Sequence, residues 1–183
     1  MSVNQTKLQV FPVTGDVTPY YIAMQPSTTG MTSAEYVSTT CTFSPHNGVL
    51  NATATSARYA DLAEVFWSDS EYVPGTVVVF GGEKEITITN ISHDTRVAGV
   101  ISTNPAYLMN NDTVGSPVAL TGRVPCQVRG PVEKGTVLVS SHIPGVAEAL
   151  NSSMHRPGCV LGKALEKIDS TDIKTIEVVV GRF

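Results

Sequence analysis

Tyr59-Ala-Asp-Leu-Ala-Glu-Val-Phe-Trp67 runs through Ser68-Asp-Ser-Glu-Tyr-Val-Pro-Gly75 into Thr76-Val-Val-Val-Phe-Gly-Gly82. Two periods compete in its first nine residues. Tyr59, Leu62, Ala63 and Phe66 fall at helical spacing with Arg58, Asp61 and Glu64 opposite and Ser56 placed to cap the start. Read as a strand, the same segment puts Ala63, Val65 and Trp67 on one face. The apolar pattern lasts barely two helical turns, which favours an extended form from Leu62 onward, although helix and strand both stay open over 57–67. The run from Val77 is less ambiguous: four Val and Phe residues closed by Gly81-Gly82 read as a buried strand and a turn.

Downstream, a punctuation mark recurs in which Gly precedes a small residue and then Val: Pro74-Gly-Thr-Val77, Lys134-Gly-Thr-Val137 and Pro157-Gly-Cys-Val160. Each Gly lets the chain turn sharply before a buried strand. The strands expected are Val77–Phe80, Ile86–Thr89, Val97–Ile101, Val118–Leu120, Val124–Val128, Val137–Val139, Val160–Leu161 and Lys174–Val180. Asn104–Asn111 reads as an ordered loop holding one aromatic, Tyr107, and Ile143–His155 as a strand followed by an exposed loop. Short strands at regular spacing, without long helical patterns, indicate an all-β barrel or sandwich.

Upstream of Tyr59 the chain is rich in Thr, Ser and Asn. Lys7–Phe11 and Tyr20–Met24 read as short strands. Tyr36–Phe43 reads as a third, and Asn47-Gly48 supplies the positive φ angles that return Val49–Thr53 against it as a β-hairpin. With so few large apolar side chains, this segment cannot bury enough surface alone to offset its ordering entropy. The expected organisation is therefore an N-terminal β attachment segment over 1–56 and a compact β domain over 57–183.

Composition narrows the function. At 183 residues and 42% hydrophobic content the chain can bury a real core. A net charge of −4 with scattered Lys and Arg gives no footprint for nucleic acid. No apolar run approaches the roughly 20 residues that cross a bilayer, and the N-terminus lacks a basic-then-apolar leader, so the expectation is a soluble chain made in the cytosol with no membrane insertion. Cys41, Cys126 and Cys159, odd in number and widely spaced, read as buried free thiols. His46, His93, His142 and His155 share no ligand spacing and read as surface loop residues. Asp61, Glu64, Asp69 and Glu71 lack a calcium-loop pattern and read as solvated edge charges. No nucleophile elbow, zinc motif or phosphate-cradling loop is present, so no catalytic residue, metal or cofactor is assigned.

A set of collinear segments adds to this reading: Tyr59-Ala-Asp-Leu-Ala-Glu64, Val73-Pro-Gly-Thr-Val-Val-Val-Phe-Gly-Gly82, Arg96-Val-Ala-Gly-Val-Ile-Ser-Thr-Asn-Pro-Ala-Tyr-Leu-Met-Asn110, Val118-Ala-Leu-Thr-Gly-Arg-Val-Pro-Cys126, Gly130-Pro-Val-Glu-Lys-Gly-Thr-Val-Leu-Val139 and Gly158-Cys-Val-Leu-Gly-Lys-Ala-Leu165. Together they resemble a module near the C-termini of tailed-phage fibre and appendage proteins, and are similar to the self-cleaving intramolecular-chaperone domain that ends some podovirus neck appendages. The upstream Phe43–Thr53 piece resembles a fibre-stem repeat. The resemblance implies a virion protein of a tailed bacteriophage, assembled in the host cytoplasm, whose module helps a trimer form.

The resulting expectation is a short homotrimeric tail-fibre or appendage component, or an adaptor, bound to other phage tail or virion proteins. Leu62, Phe66 and Trp67 are the expected oligomer interface, and a buried Trp67 would lose roughly 3–5 kcal/mol on truncation to Ala. The loop with Tyr107 is the expected receptor-facing element for a host surface receptor. Two alternatives stand beside it: an autoprocessing intramolecular-chaperone peptidase and a capsid decoration protein. No cleavage residue can be carried over from the family, and the short stretch ahead of the module leaves little to release, so a retained structural part is expected.

Overall fold

The computed structural model describes residues 20–24, 36–44, 46, 48–54 and 56–181. The expected strand over 7–11 and the Asn47 position of the expected turn lie outside them. The chain divides into two compact units, 1–56 and 57–183. The first holds β1 (Tyr20–Met24), β2 (Tyr36–Ser44) and β3 (Val49–Asn51) in one antiparallel sheet, ordered β1-β2-β3. β2 and β3 form the expected hairpin, with Ser44 opposite Val49 and Gly48 at φ +68°. Phe43 and Leu50 face each other across this hairpin and both are exposed.

The second unit is built from β4 (Asp61–Phe66), β5 (Val77–Phe80), β6 (Ile86–Thr87), β7 (Val97–Ile101), β8 (Tyr107–Met109), β9 (Ser116–Arg129), β10 (Val137–Ser140), β11 (Ala147–Ala149), β12 (Val160–Ala164) and β13 (Ile173–Val180). Among the described residues the one helical element is a 3₁₀ turn at Ser152–Met154. The competition at 57–67 resolves as a strand: β4 alternates, with Asp61, Ala63 and Val65 buried and Leu62, Glu64 and Phe66 half-buried. Trp67 does not join Ala63 and Val65 on the inner face, because β4 ends at Phe66 and Trp67 is 51% exposed.

β9 organises the unit. Its first half pairs with β4 on one side and β7 on the other; its second half pairs with β13 in eight consecutive registers, from Val180 opposite Gly122 to Ile173 opposite Arg129. The sequence pattern suggests two strands here, separated at Thr121-Gly-Arg123. They are one strand, and Gly122 is the residue at which β4 gives way to β13. The order β9-β13-β12-β10-β11 returns to β9 through Ala147 opposite Val128, which closes a five-stranded barrel. Val124, Cys126 and Val128 point inward from β9, and Ile176 and Val178 stand opposite Cys126 and Val124 from β13. Alternate positions along both strands therefore fill the barrel, each buried aliphatic side chain contributing roughly 1.5–3 kcal/mol.

The remaining strands extend this barrel as a sheet with buried apolar residues on both faces. Val77, Val100 and Ala119 join the barrel core, whereas Val78, Ile86, Ile101 and Val118 form a second, smaller cluster on the other face. Two further expectations need correction. Tyr107–Met109 is not a loop but a short strand parallel to β4, with Leu62 opposite Tyr107. His93 is buried, not a surface residue, at 7% exposure; His46, His142 and His155 are exposed. Cys126 and Cys159 are buried free thiols, as expected, and burial pushes the Cys126 thiol far above its ordinary range.

Candidate functional site

Leu62 and Phe66, two of the residues expected at an oligomer contact, project from the same outward side of β4. Phe66 packs against the small cluster with Tyr72, Ala98 and Leu120, all only partly buried. Phe80, 44% exposed, meets Phe66 edge-on at 5.4 Å. This side of the sheet is thus a half-covered apolar face. Trp67 stands just past its end. Its backbone is tied to Glu85 by two hydrogen bonds, from its N–H to Oε2 at 2.7 Å and to its carbonyl from Glu85 N–H at 3.0 Å. Lys84 lies over the indole with Nζ 4.7 Å from the ring centre. Trp67, Glu85, Thr113 and Val114 border an open hollow of about 450 Å³, and Val114 is 83% exposed. Tyr107, 66% exposed, stands at the other end of β4 opposite Leu62.

A buried polar network occupies the loop before β7, and no sequence pattern announces it. His93 sits at φ +61°, its N–H donating to the Ser140 carbonyl at 3.0 Å. Its Nε2 accepts the Asn151 N–H at 3.0 Å, which makes Nδ1 the protonated nitrogen, 2.6 Å from Ser92 Oγ. Ser92 in turn donates to Glu148 Oε1 at 2.5 Å. The arrangement contains a serine, a histidine and a carboxylate, but in an order that holds rather than attacks. The hydroxyl proton goes to the carboxylate, and the imidazole nitrogen that would serve as a base faces a backbone amide.

Next to it, Asp94 accepts from Thr89 Oγ1 at 2.7 Å, from the Arg96 backbone N–H at 3.0 Å, and from Arg96 Nε and Nη2 at 3.0 and 2.7 Å. The Arg96 guanidinium holds the Asp94 carboxyl down at about 2, against the desolvation that pulls it up. A carboxyl lowered in the folded state stabilises above its unfolded value of 3.8, and that stabilisation is lost as pH falls through about 2. Asp94→Asn is therefore expected to lower the melting temperature at neutral pH, and the gap from the parent to close between pH 3.8 and about 2. Thermal melts across that range check this; a gap that persists at the acid end contradicts it.

A second cleft opens at the start of β4. Because Gly122 brings β9 against the backbone at Ala60 and Asp61, with the Arg123 N–H donating to the Ala60 carbonyl at 3.1 Å, the segment 58–61 forms one bank. The other banks come from 102–104 after β7 and from Arg123, Pro125 and Glu177 on β9 and β13. The volume is about 350 Å³. Asp61 is only 4% exposed and accepts Ser102 Oγ–H at 2.6 Å; it is a buried, hydrogen-bonded carboxylate, not the solvated edge charge expected. Arg58 lies 5.6 Å from the Tyr59 ring centre. Among the described residues no group of three or more His, Cys, Asp and Glu is placed to hold a metal ion.

No family model and no curated protein sequence matches the chain. In fold it is similar to the pre-mature bacteriophage phi29 gene product 12, with a TM-score of 0.56 at 14% identity. The likeness covers 78% of this chain and 24% of the other, so the chain spans about a quarter of that protein's length. At that identity the likeness is one of fold.

Proposed function

We propose that this chain is a virion structural protein of a tailed bacteriophage, a homotrimeric tail-fibre or appendage component or adaptor. The observation that carries the proposal is the shared fold with phi29 gene product 12 over 78% of the chain, beside the resemblance of the sequence segments to the same class of module. The half-covered face of Phe66, Leu120 and Phe80 supports an assembled role, because partly buried apolar side chains on a sheet face gain most by meeting another such face. Trp67 extends that face toward Val114.

A cyclic trimer uses two different patches on each copy, and Leu62 with Trp67 belongs to one of them in this reading. Light scattering on the full chain is expected to give three copies of the 19.4 kDa protein, and Leu62→Glu with Trp67→Glu to give one. The exposure of Trp67 means that its replacement costs the single chain little, roughly 1 kcal/mol, so loss of the trimer without loss of the fold reads the interface. A monomeric parent protein removes the trimer. Antibody labelling of purified particles places the protein; label on the head instead of the tail removes the fibre or appendage role.

A further inference from the structure

The cleft at the start of β4 carries charges of both signs that are not paired with each other. Arg58 and Arg123 take part in none of the ion pairs among the described residues, and neither do Asp61 and Glu177. Strand register interleaves them. Asp61 stands opposite Gly122 on one side of β9 and Glu177 opposite Pro125 on the other, so Arg123 lies between the two carboxylates along β9. Arg58 closes the rim beside Tyr59. Asp61 decides what the cleft takes. It is 4% exposed and its Oδ2 accepts from Ser102, yet no described residue donates to Oδ1, and that atom is not sealed away from solvent. A carboxylate so placed faces the cleft with half of its acceptor capacity unused.

These features select a ligand class. A simple anion meets Asp61 and Glu177, and a simple cation meets the two guanidinium groups; each is repelled by half of the site. A neutral molecule leaves all four charges without a counter-charge, in a recess where Asp61 is withdrawn from water. A zwitterion satisfies both pairs at once, and hydrogen bonds between ionised partners are roughly twice as strong as neutral ones. The volume of about 350 Å³, near the lower end of small-molecule sites at roughly 300–1,000 Å³, limits the occupant to one small molecule. An amino acid inside a polypeptide carries neither backbone charge and a chain end carries one, whereas a free amino acid carries both on a single carbon. Pro125 and the ring of Tyr59 offer apolar surface to its side chain, which is uncharged because the charges of the site already balance two against two. We infer that this cleft binds a free α-amino acid with an aliphatic side chain, its ammonium donating to Asp61 Oδ1 and Glu177 and its carboxylate accepting from Arg58 and Arg123. The site stands on the cleft alone and goes beyond the virion role.

Saturation-transfer NMR on the full chain at neutral pH tests this with L-alanine and L-leucine as probes. N-acetyl-L-leucine and L-leucine methyl ester serve as counterparts that each lack one charge, and methyl glucoside as a neutral control. Transfer to the C–H protons of at least one free amino acid is expected, with a dissociation constant on the order of 1 mM, and blocking either end is expected to weaken binding by about tenfold or more. Asp61→Asn removes the partner of the ammonium and Arg123→Gln that of the carboxylate, so each is expected to cost the free amino acid about tenfold. Arg123→Gln is expected not to weaken the methyl ester further, a pattern that a general loss of structure does not give. Because Arg123 is exposed, this variant keeps the test independent of folding, and an unchanged circular dichroism spectrum verifies it. No transfer to either amino acid, a blocked derivative that binds as well as free leucine, tighter binding of methyl glucoside, or affinity retained in both variants overturns the inference.

Discussion

Gly122→Ala is expected to destabilise the second unit by at least about 3 kcal/mol. Gly122 has φ +107°, where side chains other than hydrogen are strained, and an added Cβ would lie 2.2 Å from the Ala60 carbonyl oxygen and 2.8 Å from Asp61 Cα. Both neighbours are backbone atoms, so no rotamer change relieves the overlap. Retreat is blocked as well, since the Ala60 carbonyl accepts the Arg123 N–H at 3.1 Å and the Asp61 carbonyl accepts the Ala106 N–H at 2.8 Å. Urea unfolding followed by tryptophan fluorescence and circular dichroism measures the loss; an unfolding free energy within about 1 kcal/mol of the parent shows that the strand exchange at this residue is not as tight as described. Recovery only as insoluble protein fits the expected effect.

Leu138→Ala is expected to cost about 3–4 kcal/mol. Leu138 is fully buried in the middle of β10, opposite Ala149 on one side and Gly162 on the other. Its surroundings are mostly Val, Ala and Cys, and Leu138 and Ile168 are among the largest fully buried side chains in the unit. Short branched neighbours cannot swing into the space a leucine leaves, so most of the cavity persists and the cost falls in the upper part of the range for such changes. Guanidinium unfolding tests this. A loss under about 1 kcal/mol means that the barrel collapses onto the gap.

Much of the fold is legible in the sequence because its signal is local. The alternation in Lys174–Val180, the Val runs after Gly75 and Gly135, and the Asn47-Gly48 turn each specify a strand or hairpin within a few residues. Sequence and structure part where a local signal and a distant partner disagree. Thr121-Gly-Arg123 has the composition of a turn, yet Gly122 is needed for a close approach to Ala60, far upstream in the chain. Tyr107–Met109 is too short to announce itself and becomes a strand only by pairing with β4. Simple alternation places Trp67 inside, and it does not reveal that β4 stops one residue before it.

The sites are less legible. Arg58, Tyr59 and Asp61 lie in the very stretch that decides the fold, but Ser102, Arg123 and Glu177 reach them from three other elements, and no spacing rule connects these positions. His93 followed by Asp94 is visible as a pair. Its burial depends on Ser140, Glu148 and Asn151, whose approach is a product of barrel closure. A buried histidine at positive φ leaves no mark in the sequence alone.

The sharing of β9 between sheet and barrel also sets an order of events during synthesis. A nascent chain that has emerged through β12 can pair the first half of β9 with β4 and β7, but the second half still lacks its long partner, because β13 begins only at Ile173. Until β13 arrives, a row of backbone donors and acceptors is left open on one edge of that half-strand, a ready template for a neighbouring chain. The distance that must be closed makes this pairing intrinsically slow. The length of one strand therefore makes the interval before β13 emerges from the ribosome the period in which this protein is most prone to associate wrongly.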